Sequence, residues 1–256
     1  MSAEAGLPVS LVCSFLLVPA RVSFAFIFVP LPGARAAPDA ARVVLAVATT
    51  IALYPVWPAV TIAELQLSQL MQWVGSEAAF GLTIGVAVGL ISEAFVMAAQ
   101  MIGFQAGYSY ASAVDPATQS DSTVLQMAAQ LCAGLLFFVT GLHREVLRAV
   151  AHSLEAWPPG TFMITDSIGA AVRNLGGVML STAVRLALPV LALTMLVDVS
   201  LALLGRINSH LQLLTLAMPL KMLAALAMFA ALLSVFPAVF ERNASQTFAV
   251  LGRVLR

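Results

Sequence analysis

Two charged residues interrupt the apolar sequence in the last third of this chain, and they restrict how that segment can fold. Asp198 lies in one apolar run and Lys221 in the next, and residues 208–210 are the only polar break between the runs. An unpaired charge inside a lipid-embedded helix costs about 2.5 to 3.5 kcal/mol, so such residues usually point at protein partners. The pattern predicts an antiparallel helical hairpin with a buried Asp198–Lys221 ion pair. The alternative is that the long Lys221 stem reaches a membrane interface.

The composition predicts residence in a membrane. Hydrophobic residues make up 61% of the sequence and charged residues 9%, whereas a soluble domain carries about 25% charged residues. No stretch between the apolar runs is long enough to bury a core of its own, so one membrane domain is predicted. The net charge is zero and the 12 basic residues are scattered singly, which argues against nucleic-acid binding.

Six apolar stretches approach or exceed the roughly 20 residues that a helix needs to cross a bilayer core. They predict an all-α integral membrane protein built of kinked helical hairpins. The first stretch is interpreted as a retained span and not a signal peptide, because no basic residue precedes Arg21. The third is too long for one straight crossing and is expected to tilt, kink or double back. The stretches are residues 7–30, 43–60, 78–107, 124–141, 176–205 and 211–236.

Prolines and loop charges add detail to this topology. Pro189 and Pro219 lie inside apolar runs, where each is expected to kink its helix.

With six simple crossings, the basic loops fall on opposite sides of the membrane, so loop charge does not fix the orientation. The connector 61–76 contains Glu64, is followed by Glu77 and has no basic residue, so it is predicted to be extracytoplasmic. The segment 237–256 is predicted to be an amphipathic tail at an interface.

Glycines at every fourth position mark a close helix contact in the third stretch. Gly81, Gly85 and Gly89 lead to Glu93, and Gly103 repeats the feature farther along. Small residues let helix backbones approach each other closely in membranes. The contact is either internal packing or an interface with another subunit. Glu93 is interpreted as a buried polar anchor, with part of an ion pathway as the alternative.

Residues 107–122 form the most polar segment, and its small and hydroxylated residues predict a flexible loop.

Catalytic templates match poorly, because His143, His152 and His210 lack metal-ligand spacing and no phosphate-binding glycine loop occurs. An enzyme, a cofactor and a metal site are therefore not predicted. Two rival hypotheses remain: a secondary transporter or channel subunit for a small solute, and an intramembrane hydrolase that uses Ser109 and His143.

The order of several short motifs resembles the FliR family of flagellar biosynthesis proteins and its type III secretion counterparts, called SctT. Each motif is weak alone, but their order and spacing together cover nearly the whole chain. The matching residues are Arg21, residues 29–33, Pro38, Ala106–Gly107, Asp115–Pro116, Ser153, residues 157–160, Arg185, Pro189, Arg206 and residues 218–221.

The resemblance implies a core subunit of a protein-export gate in the bacterial inner membrane, in a flagellar basal body or an injectisome base. It implies FliP-like and FliQ-like partners, FlhB-like and FlhA-like export components, and unfolded secreted proteins as cargo. Residues 1–170 would correspond to a FliP-like part and 171–236 to a FliQ-like hairpin. The hairpin residues would be Arg185, Pro189, Arg206 and Pro219. A plug loop that closes the channel would include Gly107, Tyr108, Ser109, Tyr110, Asp115 and Pro116.

Overall fold

The computed structural model confirms the predicted all-α class. It describes residues 9–30, 39–58, 67–108, 124–163, 165–207 and 213–254. Within these residues the chain forms eight α-helices and one short 3-10 turn, Tyr54–Val56. The helices are α1 (Val9–Phe26), α2 (Asp39–Ala52), α3 (Leu67–Ala106), α4 (Val124–Val139), α5 (Leu142–Ala156), α6 (Asp166–Ile207), α7 (Leu213–Leu233) and α8 (Phe236–Val254).

The third apolar stretch does not double back, because all of it except Gly107 lies within the single continuous helix α3 of 40 residues. The helix also starts earlier than the sequence suggested, so the last ten residues of the predicted polar connector, 67–76, are helical. α6 is a continuous helix of 42 residues that includes Pro189, and α7 includes Pro219. Neither proline ends its helix.

The described residues contain fewer membrane-crossing helices than the six predicted stretches. In the part of the chain that the structure describes, only α3 and α6 are long and apolar enough to cross a membrane individually. Two pairs of helices are bent at the break between them, α4 with α5 by 64° and α7 with α8 by 57°. If each bent pair counts as one span, the number of candidates rises to four. α1 and α2 have 18 and 14 residues, below the roughly 20 that a crossing needs.

Two breaks between helices have local causes in the sequence. Gly141 separates α4 from α5 with φ of +73°, a conformation that residues with a β-carbon rarely adopt. At the second break, Pro237 occupies the first turn of α8. Its fixed φ suits that position, and its missing N–H would have no partner there in any case.

The chain divides into two compact units that alternate along the sequence. Unit 1 consists of Met1–Gly89, Phe137–Leu175 and Ala244–Arg256, and unit 2 of Leu90–Leu136 and Gly176–Asn243. These boundaries differ from the proposed FliP-like and FliQ-like parts, whose division stays a prediction. Of the predicted tail 237–256, residues 237–254 belong to α8, which begins at Phe236 and places Phe240, Ala244, Thr247 and Leu251 among the buried residues. Residues 255–256 lie outside the described residues.

Contacts in unit 2 fix the relative directions of three helices. Lys221 of α7 contacts Asp198 of α6, and 23 positions separate these residues across the break, so α6 and α7 are antiparallel. Tyr108, just after α3, contacts Met222. Farther along, the Phe229 ring meets Phe236 in α8, which in turn meets Phe95 in α3. Later positions in α7 therefore lie beside earlier positions in α3, so α3 is also antiparallel to α7.

Candidate functional site

A fully buried ion pair lies at the centre of unit 1. Arg21 of α1 and Glu77 of α3 have side chains that are 0% and 1% exposed. The Arg21 Nε donates to Glu77 Oε2 at 2.6 Å, and Nη2 donates to Oε1 at 3.0 Å. This parallel two-bond arrangement is the strong geometry for a guanidinium and a carboxylate.

The remaining donors of Arg21 reach the end of α5 and the turn that follows it. Nη1 donates to the Ser153 carbonyl at 2.6 Å and to Ser153 Oγ at 3.1 Å. Nη2 donates a second bond, to the Trp157 carbonyl at 3.1 Å. The guanidinium carbon also lies 4.5 Å from the centroid of the Phe80 ring. All five N–H groups of the guanidinium are therefore satisfied. We call Arg21, Glu77, Phe80, Ser153 and Trp157 the arginine centre.

The Glu77 carboxylate also holds the turn after α5. The Gly160 N–H donates to Glu77 Oε1 at 3.1 Å. Gly160 has φ of +80°, and a β-carbon built there would meet the ring of Trp73. Buried charges are stabilising only when they are paired and fully hydrogen-bonded, and here both conditions hold. The arginine centre is therefore a structural joint between α1, α3 and the residues 157–160.

A cleft lies beside the arginine centre. It has a volume of about 390 Å³ and is lined by residues that include Phe80, His152, Trp157 and Leu251. The hydroxyl of Ser153, which also lines it, donates to the Val150 carbonyl at 2.6 Å and accepts from Arg21. Both partners are structural. Among the described residues no group of three potential metal ligands occurs.

The glycines of α3 pack inside the chain, which was one of the two alternatives. A β-carbon at Gly81 would meet the Arg21 carbonyl oxygen. One at Gly85 would lie 2.7 Å from the Ala25 carbonyl oxygen, and one at Gly89 would lie 3.0 Å from Phe28. The contacts follow α1, so this stripe lets α1 and α3 approach closely. Gly103, at the other end of α3, is also buried.

Glu93 is not the buried anchor that the sequence suggested. It is exposed on α3. The physical reason is that a step of four residues turns the helix by slightly more than one full turn. Three such steps after Gly81 have rotated position 93 away from the face that contacts α1.

The structure brings Asp198 and Lys221 together in unit 2. Lys221 Nζ lies 2.9 Å from Asp198 Oδ2, and Gln105 Nε2 donates to the same oxygen at 3.4 Å. The side chain of Lys221 is 13% exposed and that of Asp198 is 44% exposed. The ion pair is therefore only partly buried by this chain, whereas the sequence predicted a buried one.

The end of α3 is closed by a regular cap directly before the predicted plug loop. Gly107 has φ of +90°. The Gly107 N–H donates to the Phe104 carbonyl and the Tyr108 N–H donates to the Gly103 carbonyl, the two bonds of a Schellman cap. The Tyr108 hydroxyl donates to the Met222 carbonyl at 2.9 Å. Partial burial raises the pKa of the Tyr108 phenol above its usual value.

The other predicted site residues are either exposed or outside the described residues. Arg185, Pro189 and Arg206 of α6 and Pro219 of α7 are all exposed. Outside the described residues lie the break at 208–210 and the predicted plug residues Ser109, Tyr110, Asp115 and Pro116.

Comparison with known proteins gives a family for the chain. A family model described as bacterial export proteins, family 1, matches residues 12–247. The chain belongs to this family of bacterial export proteins. The FliR/SctT membership predicted from the motifs is thereby confirmed.

Relatives of this family 1 export protein come from flagellar and virulence systems. The flagellar biosynthetic protein FliR of Escherichia coli is 25% identical over 88% of this chain and 86% of its own length. FliR of Bacillus subtilis is 25% identical over 94% of both chains. The Yop proteins translocation protein T of Yersinia pestis is 29% identical over 67% of both. These relatives are components of the type III export apparatus.

The sequence reasoning missed the arginine centre of this family 1 export protein. The sequence indicates Arg21 as the first basic residue and as part of the resemblance, and Glu77 as the edge of a polar connector, but it does not pair the two. A signal was present, because Glu77 immediately precedes the glycine-spaced apolar run and Arg21 interrupts the first apolar stretch. Two opposite charges inside apolar helices form a candidate pair even when 56 positions separate them.

Proposed function

We propose that this family 1 export protein is a non-enzymatic core subunit of a type III protein-export gate in the bacterial inner membrane. Together with FliP-like and FliQ-like subunits it helps to form and close the channel through which unfolded proteins leave, beside FlhB-like and FlhA-like components. The observation that carries this proposal is the family match over residues 12–247, with relatives named for flagellar biosynthesis and Yop translocation.

The surface of α6 supports the role of a subunit within an assembly. Only 22% of the most apolar stretch of α6 is buried within the chain, compared with 61% for α3. Several large apolar side chains of α6 are more than half exposed, and Arg185 lies among them. A helix that exposes both apolar groups and a charge is better suited to contact with other protein helices than to contact with lipid alone.

Co-purification tests this proposal. A tagged copy expressed from its native locus should recover FliP-like and FliQ-like chains from membranes in a mild detergent. The rival hypothesis of a secondary transporter predicts recovery of this chain alone or as a homo-oligomer. A stable solitary molecule that moves a small solute would therefore contradict the proposal.

The plug role is tested by replacing residues 109–122 with a flexible Gly-Ser linker. Gly107 and Tyr108 are retained, because they cap α3 and contact Met222. The assembled complex should still form but should make membranes leak small ions, since the closing segment is gone. Replacing the connector 59–66 in the same way is the control. A tight membrane after the first replacement would count against the plug role.

A further inference from the structure

The cleft beside the arginine centre is charged at one end of α5 and apolar at the other. One face of α5 contributes Glu145, Arg148 and His152, which are spaced by three and four residues and all line the cleft. Toward the end of α5 the lining changes to Ala156 and, just after the helix, Trp157. A molecule that lies in the cleft along α5 therefore needs a polar end and an apolar end.

Aromatic and aliphatic side chains form the apolar end. The rings of Phe80 and Trp157 both lie against Phe162, with centroid distances of 4.7 Å and 6.2 Å, which places Phe80 beside Trp157. The last turns of α8 add Phe248 and Leu251 to the lining. Burial of a hydrocarbon chain against such side chains is favourable.

The charged end has unused hydrogen-bonding capacity of both signs. Arg148 Nη1 donates to Glu145 Oε1 at 2.7 Å, and the two side chains are 73% and 51% exposed. Within the described part of the chain, neither side chain makes a second hydrogen bond and His152 makes none through its ring. The other N–H groups of the guanidinium, the imidazole and Glu145 Oε2 are therefore open to a ligand.

The two signs together select a zwitterionic head group. A phosphate can accept from Arg148 and His152 in charge-assisted hydrogen bonds. A lipid with only that charge would also place it beside Glu145, which repels it. A primary ammonium next to the phosphate removes the repulsion, because it can donate to Glu145 Oε2. Phosphoethanolamine has both groups, whereas the quaternary ammonium of phosphocholine has no N–H to donate.

The position of the cleft favours a membrane lipid over a soluble molecule. α5 follows the apolar helix α4 after a bend of 64°, and Glu145 lies in the first turn of α5. The charged end of the cleft is thus close to the end of an apolar helix, where charged side chains commonly meet lipid head groups. A soluble zwitterion would also leave the apolar end of the cleft unfilled.

We propose that this cleft binds a phospholipid with a phosphoethanolamine head group. The phosphate accepts hydrogen bonds from Arg148 and His152, and the ammonium donates to Glu145. One acyl chain runs toward Phe80 and Trp157. The volume of about 390 Å³ is within the range of about 300–1,000 Å³ that is usual for ligand pockets. It holds the head group and part of one chain, and the rest of the lipid stays in the bilayer.

Photo-labelling with two lipids tests the proposal on the unchanged protein. The full-length chain, purified with any chains that accompany it, is placed in phosphatidylcholine nanodiscs. Two added lipids carry the same diazirine acyl chain and differ only in the head group, phosphoethanolamine or phosphoglycerol. Mass spectrometry then locates the labelled residues.

We expect the ethanolamine lipid to label Phe248 and Leu251 about two- to fivefold more than the glycerol lipid, the preference that an exposed ion pair can supply. Both lipids should label Leu135 equally, because it is exposed on apolar α4 and does not line the cleft. Equal labelling of the cleft by the two lipids, or no labelling there, would overturn the proposal.

A matched pair of glycines tests whether the lipid occupies the cleft. Gly252 lines it, and a β-carbon there would meet nothing within 4 Å, so the backbone accepts a side chain. Gly252→Phe should fill the cleft and lose most of its labelling. Gly75 has the same free space but lies outside the lining, so Gly75→Phe should label normally. Undiminished labelling in Gly252→Phe would contradict the proposal.

A change of sign at Glu145 tests the head group. Glu145→Arg should reverse the preference, so that the glycerol lipid labels the cleft about two- to fivefold more, because the new guanidinium attracts phosphate and repels the ammonium. Glu155→Arg, exposed on the same helix but outside the lining, should keep the original preference. An unchanged preference in Glu145→Arg would overturn the assignment.

The comparison of the two lipids on the unchanged chain decides the matter if a variant does not fold, which thermal unfolding checks. None of these measurements depends on which proteins accompany this chain. Their outcome is therefore independent of the proposed function.

Discussion

At the scale of single residues, the arginine centre depends on a guanidinium. The Arg21 side chain uses all five of its N–H groups, directed at the Glu77 carboxylate, the Ser153 carbonyl and hydroxyl, and the Trp157 carbonyl. A lysine ammonium has three donors and no planar fork, so it cannot reproduce this pattern. A lysine at this position would keep the positive charge but would leave some buried acceptors without a hydrogen-bond donor.

Substitution of Arg21 should therefore destabilise unit 1 even when the charge is kept. Arg21→Ala should lower the free energy of unfolding by about 3–5 kcal/mol, because it strands the buried Glu77 carboxylate. Arg21→Lys should lower it by about 1.5–3 kcal/mol, the contribution of one hydrogen bond to a charged group. Thermal unfolding in detergent measures both. The exposed Arg144 provides the control Arg144→Lys, and equal stability of Arg21→Lys and the unchanged protein would contradict this account.

The second ion pair is more exposed, and its removal should cost less. Lys221→Ala leaves Asp198 with only Gln105, but 44% of the Asp198 side chain is already exposed. We expect a loss of about 1–3 kcal/mol. Adding Asp198→Asn should recover part of this loss, because no unpaired carboxylate remains. Additive effects in this double-mutant cycle would mean that the two side chains do not interact.

At the scale of helices, the packing of α1 on α3 depends on small residues at particular positions. A β-carbon at Gly85 would lie 2.7 Å and 2.9 Å from the carbonyl oxygens of Ala25 and Phe24. These atoms belong to the backbone of α1, so they can move only if the whole helix moves. Gly75 lies in the same helix, and a β-carbon there would meet nothing within 4 Å.

These two glycines form a matched pair for a test. Gly85→Ala should destabilise the protein by about 1–3 kcal/mol, because it forces α1 away from α3. Gly75→Ala should be neutral or stabilise by up to about 1 kcal/mol, since alanine favours the helix. Thermal unfolding of the two variants under the same conditions measures the difference. Similar effects for both would mean that the close approach of α1 and α3 does not contribute to stability.

The sequence predicted some elements well because their signals are local. The apolar runs gave the all-α class, and the four-residue spacing of Gly81, Gly85 and Gly89 indicated a close helix contact. The short break between the last two apolar runs placed Asp198 opposite Lys221. Each inference depends only on helix geometry and on residues close together along the chain.

Other features depend on contacts that the sequence does not specify. The partners Arg21 and Glu77 meet only because α1 packs along α3, and no local pattern fixes that packing. Helix ends were also mispredicted, because α3 continues into polar sequence before Glu77 and α2 stops before the 3-10 turn at Tyr54. Apolar composition identifies helices but does not give the number that are long enough to cross a membrane.

At the scale of the whole molecule, the bare surface of α6 predicts dependence on partners. Only 22% of its most apolar stretch is buried within the chain. Partners that bind only the folded state raise apparent stability. In the purified complex, this subunit should therefore unfold at a temperature several degrees above that of the isolated chain. A fluorescent label on the subunit reports its unfolding in both samples. Equal unfolding temperatures would mean that the partners do not cover this surface.

The lengths of α3 and α6 have a consequence for any sample in which this protein is studied. Their 40 and 42 residues correspond to about 60 Å of helix, twice the thickness of a bilayer's hydrocarbon slab. A lipid nanodisc or detergent belt encircles only half of such a rod. Exposed apolar side chains of α6 that lie beyond the belt need cover from other protein, so reconstitution should begin from co-expressed subunits and not from a single polypeptide.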